Sequence, residues 1–352
     1  MSAGPAGPDP AAAGGPTRPL PPLRFGVLGC ASIAWRRTLP AIAGSEHTDI
    51  VAVASRDTAR AERFAERFGG VAVSGYQRLL ERADVEAVYL PLPTGLHAEW
   101  AARALRAGKH VLTEKPLAST AEQVAELRAL ADATGLLLRE NRMFVHHPQH
   151  QHVHRLLADG AIGHLRTLTA AMAIPPLPDE DVRYRPELGG GALLDVGFYP
   201  LHTALVFLSP PVELVGAHLA RDRARDVDVG GSALLCGGDG ATAQLTFGFQ
   251  HAYRSAYELW GERGRIVLER AFTPPPTWQP LLRIERQDRT ETLTLPAADQ
   301  FRASVERFAH LARGGGVDRE HLDTATRAAA LVDQIRARAA VSWSAPQIRA
   351  TG

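Results

Sequence analysis

Cysteine is nearly absent. Among 352 residues only Cys30 and Cys236 occur, too few for a disulfide framework and without the spacing of a metal site, so the chain reads as a protein of a reducing compartment, by default the cytoplasm. An excess of one charge is also lacking: Lys plus Arg number 39 against 38 Asp plus Glu, a net +1, which provides no long-range field to gather nucleic acid or an anionic membrane. No apolar run approaches the ~20 residues needed to cross a bilayer. Lysine is as scarce as cysteine: of 39 basic residues, only Lys109 and Lys115 are lysines. In a chain that otherwise writes its cations as arginine, each lysine asks for a reason.

What is present is the composition of a soluble globular protein, 45% hydrophobic and 22% charged, and the length suits two domains better than one. Residues 1–22 are almost entirely Pro, Ala and Gly, lack the basic start and apolar core of a secretion signal, and are expected to form a disordered leader. From Arg24 short apolar runs alternate with Ala-, Glu- and Arg-rich helical text. Strands are predicted at 25–28, 50–54, 71–73, 85–90, 110–113 and 136–138, with helices at 33–43, 58–68, 76–81, 97–107 and 120–133. This alternation implies βαβ units and a parallel, doubly wound α/β Rossmann domain over 23–141. Beyond Asn141 the pattern shifts to period two with turns such as Gly237-Gly238-Asp239-Gly240. An α+β domain with an open, mostly antiparallel sheet is predicted over 142–343, closed by helices at 300–313 and 321–339, with a loose tail over 344–352.

The first turn reads Gly29-Cys30-Ala31-Ser32-Ile33-Ala34, a GxGxxA-like pattern with Ala31 at the second glycine. It lies between a strand and a helix, where the amides of a helix N-terminus meet a pyrophosphate. A tight turn with Ala34 packing helix on strand would leave the same letters, but the position at the first βα junction of a βαβ run favours a dinucleotide. The second strand ends at Ser55-Arg56-Asp57. Hydroxyl and guanidinium donors suit a 2′-phosphate and hence NADPH, while Asp57, the residue type an NAD site would use, is equally placed to cap the helix from Thr58. One of Arg36 and Arg37, at the start of the first helix, is expected to reach the cofactor, and Arg37 is assigned to it.

Glu114-Lys115-Pro116 ends a predicted parallel strand, at the edge where doubly wound sheets hold ligands. The run Gly189-Gly190-Gly191-Ala192-Leu193-Leu194-Asp195-Val196-Gly197-Phe198-Tyr199-Pro200 sets Asp195 and Tyr199 at i and i+4, one face of a helical turn. From about Arg24 to about Ala340 the chain closely resembles the glucose-fructose oxidoreductase / inositol dehydrogenase / MocA family. The stretches Tyr89-Leu90-Pro91-Leu92-Pro93, Met143-Phe144-Val145-His146-His147-Pro148 and Arg183-Tyr184-Arg185-Pro186-Glu187 look more specifically like its NADPH-dependent TDP-sugar 3-ketoreductases, which also accept Ala at the second glycine position. The resemblance implies catalytic roles for Lys115, Asp195 and Tyr199, and a cofactor lying along Gly29, Cys30, Ala31, Ser32, Ile33, Arg37, Ser55, Arg56, Leu92, Pro93, His97, Glu114 and Lys115. The reaction it implies is NADPH-dependent reduction of dTDP-3,4-didehydro-2,6-dideoxy-α-D-glucose at C3, by a homodimer or homotetramer assembled through the open sheet. Tyr199 stands where inositol dehydrogenases carry His, which weakens an alcohol-oxidising assignment.

The chemistry of the residues agrees. Hydride delivery to a ketone makes an alkoxide, so the site needs a proton donor within reach of the oxygen and a positive charge that favours its ionisation. Tyr199 is expected to be that acid, tuned by the Lys115 ammonium, or Lys115 to donate directly, which Arg in its place would not do readily. The structural alternatives are an ion pair of Lys115 with Glu114, a helix cap for Asp195 and a half-buried aromatic for Tyr199. His146, His147, His150, His152 and His154 cluster, with His150 and His154 at i and i+4. No carboxylate or Cys recurs at ligand spacing, so no metal is assigned, and His146 or His147 is expected to face the sugar. One of Arg183 and Arg185 is expected to pair with the substrate diphosphate. The competing functions are a dehydrogenase of a free sugar or cyclitol and a non-catalytic NADP-binding regulator.

Overall fold

Buried apolar strands that alternate with amphipathic helices are satisfied by a sheet covered on both faces. In this computed structural model, which describes residues 21–315 and 317–344, the first such run is β1 (Leu23–Leu28), α1 (Leu39–Ala43), β2 (Thr48–Ser55), α2 (Thr58–Phe68), β3 (Val71–Ser74), α3 (Tyr76–Leu80), β4 (Ala87–Leu90), α4 (His97–Arg106), β5 (His110–Thr113), α5 (Ala121–Thr134) and β6 (Leu138–Glu140). The six strands are ordered β3-β2-β1-β4-β5-β6 and all pair in parallel. This is the doubly wound Rossmann order, with its switch point between β1 and β4. The expected helix over 33–43 passes through a π-type turn at Ala34–Thr38 before continuing as α1, with Pro40 just after the junction. Apart from Pro21, Pro22 and Ser344, the expected leader and tail lie outside the described residues.

The chain continues through α6 (Pro148–Ala158), β7 (Leu165–Ala173), α7 (Ala192–Asp195), α8 (Phe198–Phe207), β8 (Glu213–Asp222), β9 (Val227–Cys236), β10 (Thr242–Gly248), β11 (Arg254–Gly261), β12 (Arg265–Glu269), β13 (Leu281–Glu285), β14 (Thr290–Thr294), α9 (Gln300–Arg313), α10 (Arg319–Arg338) and β15 (Ala340–Ser344). Among the described residues these strands form a nine-stranded sheet, β14-β13-β12-β11-β7-β10-β9-β8-β15, antiparallel except for β7 with β10 and β8 with β15. Buried and exposed residues alternate along β10, as period two requires. The α7–α8 segment packs against β7, β9 and β10, while Val215, Leu234, Trp260 and Leu281 stay exposed.

Two features depart from the expected layout. The last strand, β15, is a short edge strand whose partner β8 lies some 120 residues earlier, so no local pattern announces it. The late helices return to the first sheet: Phe308 of α9 packs its ring 5.6 Å from Phe25 of β1, and Leu322 and Ala325 of α10 join the apolar cluster of Leu28, Val88 and Val111. This brings the segments bearing Lys115 and Asp195 under one set of packing constraints. No helix among the described residues is long and apolar enough to cross a membrane.

Candidate active site

The carboxyl edge of the first sheet is shaped by its turns. Gly29 sits at φ +113°, and a Cβ there would come 2.7 Å from Leu92 Cδ2, so both backbone and space demand glycine. Its N–H donates to Ala54 O at 2.9 Å, whereas the amides of Ala31 and Ser32 donate to no carbonyl among the described residues. At the β2 tip Ser55 Oγ accepts from Asp57 N at 3.1 Å. Asp57 Oδ1 caps α2 through Arg60 N at 3.3 Å, which gives the acid a structural task, and Arg56 is exposed beside it. Glycine at the close approach, unspent amides at a helix start, and hydroxyl with guanidinium at the strand tip fit a dinucleotide carrying a 2′-phosphate.

Three residues expected along the cofactor turn their side chains inward. Cys30 Sγ faces Arg60 O at 3.7 Å, and burial pushes its thiol up to about 11, so it is no nucleophile. Glu114 accepts from Tyr89 Oη at 2.7 Å and Asn141 Nδ2 at 3.0 Å. Its pKa is raised, above all by burial, and it is not the partner of Lys115. His97 is fully buried, with Nδ1 2.7 Å from Pro116 O and Nε2 2.8 Å from Leu92 O. This corrects the cofactor assignment of its ring: the imidazole ties together the loops after β4 and β5.

Lys115 reaches across to the second sheet's segment. Its Nζ donates to Asp195 Oδ1 at 2.5 Å and to Asp195 O at 2.8 Å. Arg183 Nε donates to Asp195 Oδ2 at 2.6 Å, so each carboxylate oxygen meets a cation. Burial alone would raise the Asp195 carboxyl, but Lys115 and Arg183 overcome it and hold the group well below the usual carboxylate range. Asp195 and Tyr199 do not share one helix as their spacing suggested. The helix breaks at Val196 and Gly197, Asp195 ending α7 and Tyr199 lying in the first turn of α8. Tyr199 stacks on Phe272 at 5.4 Å and meets the edge of Phe144 at 5.8 Å, and Lys115 Nζ lies 5.2 Å from its ring centroid. The expected tuning runs the other way: burial, then the charge of Asp195, raises the Tyr199 phenol well above 10. The Tyr199 hydroxyl has no hydrogen-bond partner among the described residues.

The expected diphosphate contacts are otherwise engaged. Arg183 holds Asp181 as well as Asp195, and Arg185 holds Glu187. The histidine cluster is dispersed. His150 is buried against Tyr257 Oη at 3.0 Å and Ala271 O at 3.1 Å, His147 caps α6 through Gln149 N, His152 lies beside Arg155 and His154 stacks on Phe207 at 4.7 Å. His146 contacts Arg139 at 3.4 Å, and burial followed by nearby arginine charge lowers its pKa to about 3. No group of three or more His, Cys, Asp or Glu among the described residues is arranged to hold a metal. Lys109, the other lysine, donates to Arg82 O and Val85 O, both at 2.8 Å, a compact donor closing a turn. Sequence reasoning missed Asp181, which braces Arg183, and Asp228, whose Oδ2 accepts from Leu193 N at 2.6 Å and caps α7. The signal for Asp228 is that it is the one charged residue of β9.

Residues 23–142 match the oxidoreductase family with an NAD-binding Rossmann fold, and residues 150–267 match the GFO/IDH/MocA C-terminal domain. The chain belongs to the GFO/IDH/MocA oxidoreductase family. Within it, the chain is 58% identical over 298 residues to a dTDP-3,4-didehydro-2,6-dideoxy-α-D-glucose 3-reductase of Saccharopolyspora spinosa, covering 84% of this chain and 90% of that one. It is 54% identical over 315 residues to the Actinomadura kijaniata enzyme of the same name, covering 90% and 95%. A crystal structure of a 3-ketoreductase from Actinomadura kijaniata in complex with NADP and TDP-benzene superposes with a TM-score of 0.91 at 53% identity, over 92% of this chain and 100% of that chain.

Proposed function

We propose that this GFO/IDH/MocA protein is an NADPH-dependent oxidoreductase that reduces the C-3 keto group of dTDP-3,4-didehydro-2,6-dideoxy-α-D-glucose in deoxysugar biosynthesis. The observation that carries the reading is the contact of Lys115 with Asp195, which joins the carboxyl edge of a dinucleotide-type sheet to the second sheet's helices. It is supported by relatives of that activity at more than half identity. The cofactor, when bound, supplies a hydride. The amides at Ala31 and Ser32 receive its pyrophosphate, and Ser55 and Arg56 its 2′-phosphate.

Lys115 is the proton source. An ammonium has three donors; two are spent on Asp195, leaving one for the ketone oxygen. As hydride reaches C3, that N–H bond breaks and the proton passes to the new alkoxide, and the amine regains a proton from solvent. Tyr199, whose phenol is raised by burial and by the Asp195 charge, is the less well matched acid and orients the sugar as a hydrogen-bond donor. Asp195 holds the Lys115 ammonium in place. Of the two loop arginines, Arg185 is the better diphosphate partner, since among the described residues only Glu187 holds it and both side chains are exposed. The outward-facing apolar residues of the second sheet support a homo-oligomer, and the charge balance and scarcity of cysteine support a cytoplasmic enzyme.

The test is oxidation of NADPH by the purified protein on addition of the keto sugar. Turnover only with a free sugar or cyclitol would reassign the substrate, and NADPH binding without any turnover would make the chain a sensor.

A further inference from the structure

One buried carboxylate touches both halves of the site without touching its reacting groups. Glu140, at the end of β6, is 2% exposed. Its Oε2 accepts from the Leu117 N–H at 3.0 Å, two residues beyond Lys115. Its Oε1 lies 3.2 Å from His202 Nε2, on α8 three residues after Tyr199. His202 is equally buried, and its other ring nitrogen lies 3.0 Å from Phe198 O, one residue before Tyr199. Glu140 thus links the strand-end loop of Lys115 to the first turn of α8.

We propose that Glu140 and His202 are positioning residues that set the separation of Lys115 from Tyr199 across the two sheets. The inference rests on the reductase reading above. Burying a carboxylate away from water is costly unless its oxygens are hydrogen-bonded, and here one is met from each side. Burial would raise the Glu140 carboxyl, but the hydrogen bond from His202 and the charge of Arg142 bring it below its usual value. Removing the imidazole strips Oε1 of its hydrogen bond and leaves it the Arg142 guanidinium at 3.8 Å; the space left beside it is closed by movement of α8 or the Leu117 loop. Either movement carries a proposed catalytic side chain with it, and a shift of about 1 Å costs on the order of 100-fold in rate.

The test compares wild type with His202→Leu and His202→Gln, the amide of Gln restoring a donor toward Glu140. Crystal structures read the geometry whether or not the keto sugar is turned over. In His202→Leu the Lys115 to Asp195 contact should lengthen or α8 should shift; unchanged geometry overturns the proposal. Kinetically, His202→Leu should lower kcat roughly 10- to 100-fold while NADPH affinity stays within about twofold, and His202→Gln should recover most of the loss. Equal kcat for Leu and wild type, or losses in Leu and Gln that follow only their melting temperatures, would also overturn it. If wild type itself fails to reduce the keto sugar, the functional reading falls and the crystal structures alone decide the positioning role. Should His202→Leu not fold, Glu140→Gln, which keeps an oxygen for Leu117, is judged by the same measurements.

Discussion

Gly191→Ala isolates one contact that orients the Asp195 helix. Gly191 adopts φ +115° and ψ 148°, a region open essentially to glycine alone, and a side chain there costs about 1–3 kcal/mol in backbone strain. A Cβ at this position would also land on the Asp228 carboxylate, with Cγ 3.0 Å away. Asp228 must then swing aside and release Leu193 N, a helix-start partner worth about 1 kcal/mol. The total destabilisation should be about 2–4 kcal/mol. Gly75 provides the control: its φ of +89° and ψ of 140° fall in the same region, but a Cβ there meets nothing within 4 Å. Gly75→Ala therefore carries the strain without the clash. Urea unfolding should show both midpoints reduced at equal slope, with Gly191→Ala lower by a further ~1 kcal/mol, and kcat should fall roughly tenfold in Gly191→Ala alone. Adding Asp228→Ala should be less than additive, because the clash is already gone. If Gly191→Ala is no less stable than Gly75→Ala, Asp228 does not hold α7 and this account of the Asp195 position is wrong.

Lys115→Ala should lower kcat by roughly 30- to 1000-fold, equivalent to about 2–4 kcal/mol, and Tyr199→Phe by only about tenfold with NADPH affinity retained; steady-state kinetics showing the reverse order would make tyrosine the acid. Arg56→Asp should weaken NADPH binding and leave NADH binding little changed in fluorescence titrations, and equal losses for both would remove Arg56 from the 2′-phosphate site. Asp195 titrates below its ordinary value because Lys115 and Arg183 outweigh its burial, so its ionised form stabilises the fold. That contribution is full above the unfolded value of ~4 and is lost as pH falls through the lower folded value. Denaturation of wild type and Asp195→Asn should therefore differ most near neutral pH and converge in acid; a difference that grows on acidification would refute the pairing.

Much of this molecule is legible locally. The alternation of apolar runs and amphipathic helices by itself implies a parallel sheet, and the structure carries it in the order β3-β2-β1-β4-β5-β6. Period two and turn chemistry set out the antiparallel sheet, and Gly29 after β1 and Glu114-Lys115-Pro116 after β5 marked the ligand edge. The near-absence of lysine made Lys115 conspicuous. These are properties of neighbours in the chain: strand period, turn geometry and capping are decided within a few residues.

Tertiary structure decided the rest. Lys115 faces Asp195, eighty positions further on, rather than Glu114 beside it, and burial together with the Asp195 charge gives the Tyr199 perturbation the opposite sign to the one expected. His97 lies in the segment expected along the cofactor, but its ring ties two loops together, because carbonyls of Leu92 and Pro116 close on it. β15 exists because β8 offers it an edge. A charge acts over a few ångströms and its strength depends on how much water remains beside it. Sequence shows which groups can ionise or donate, and only the packed fold determines which of them meet and how dry the meeting place is.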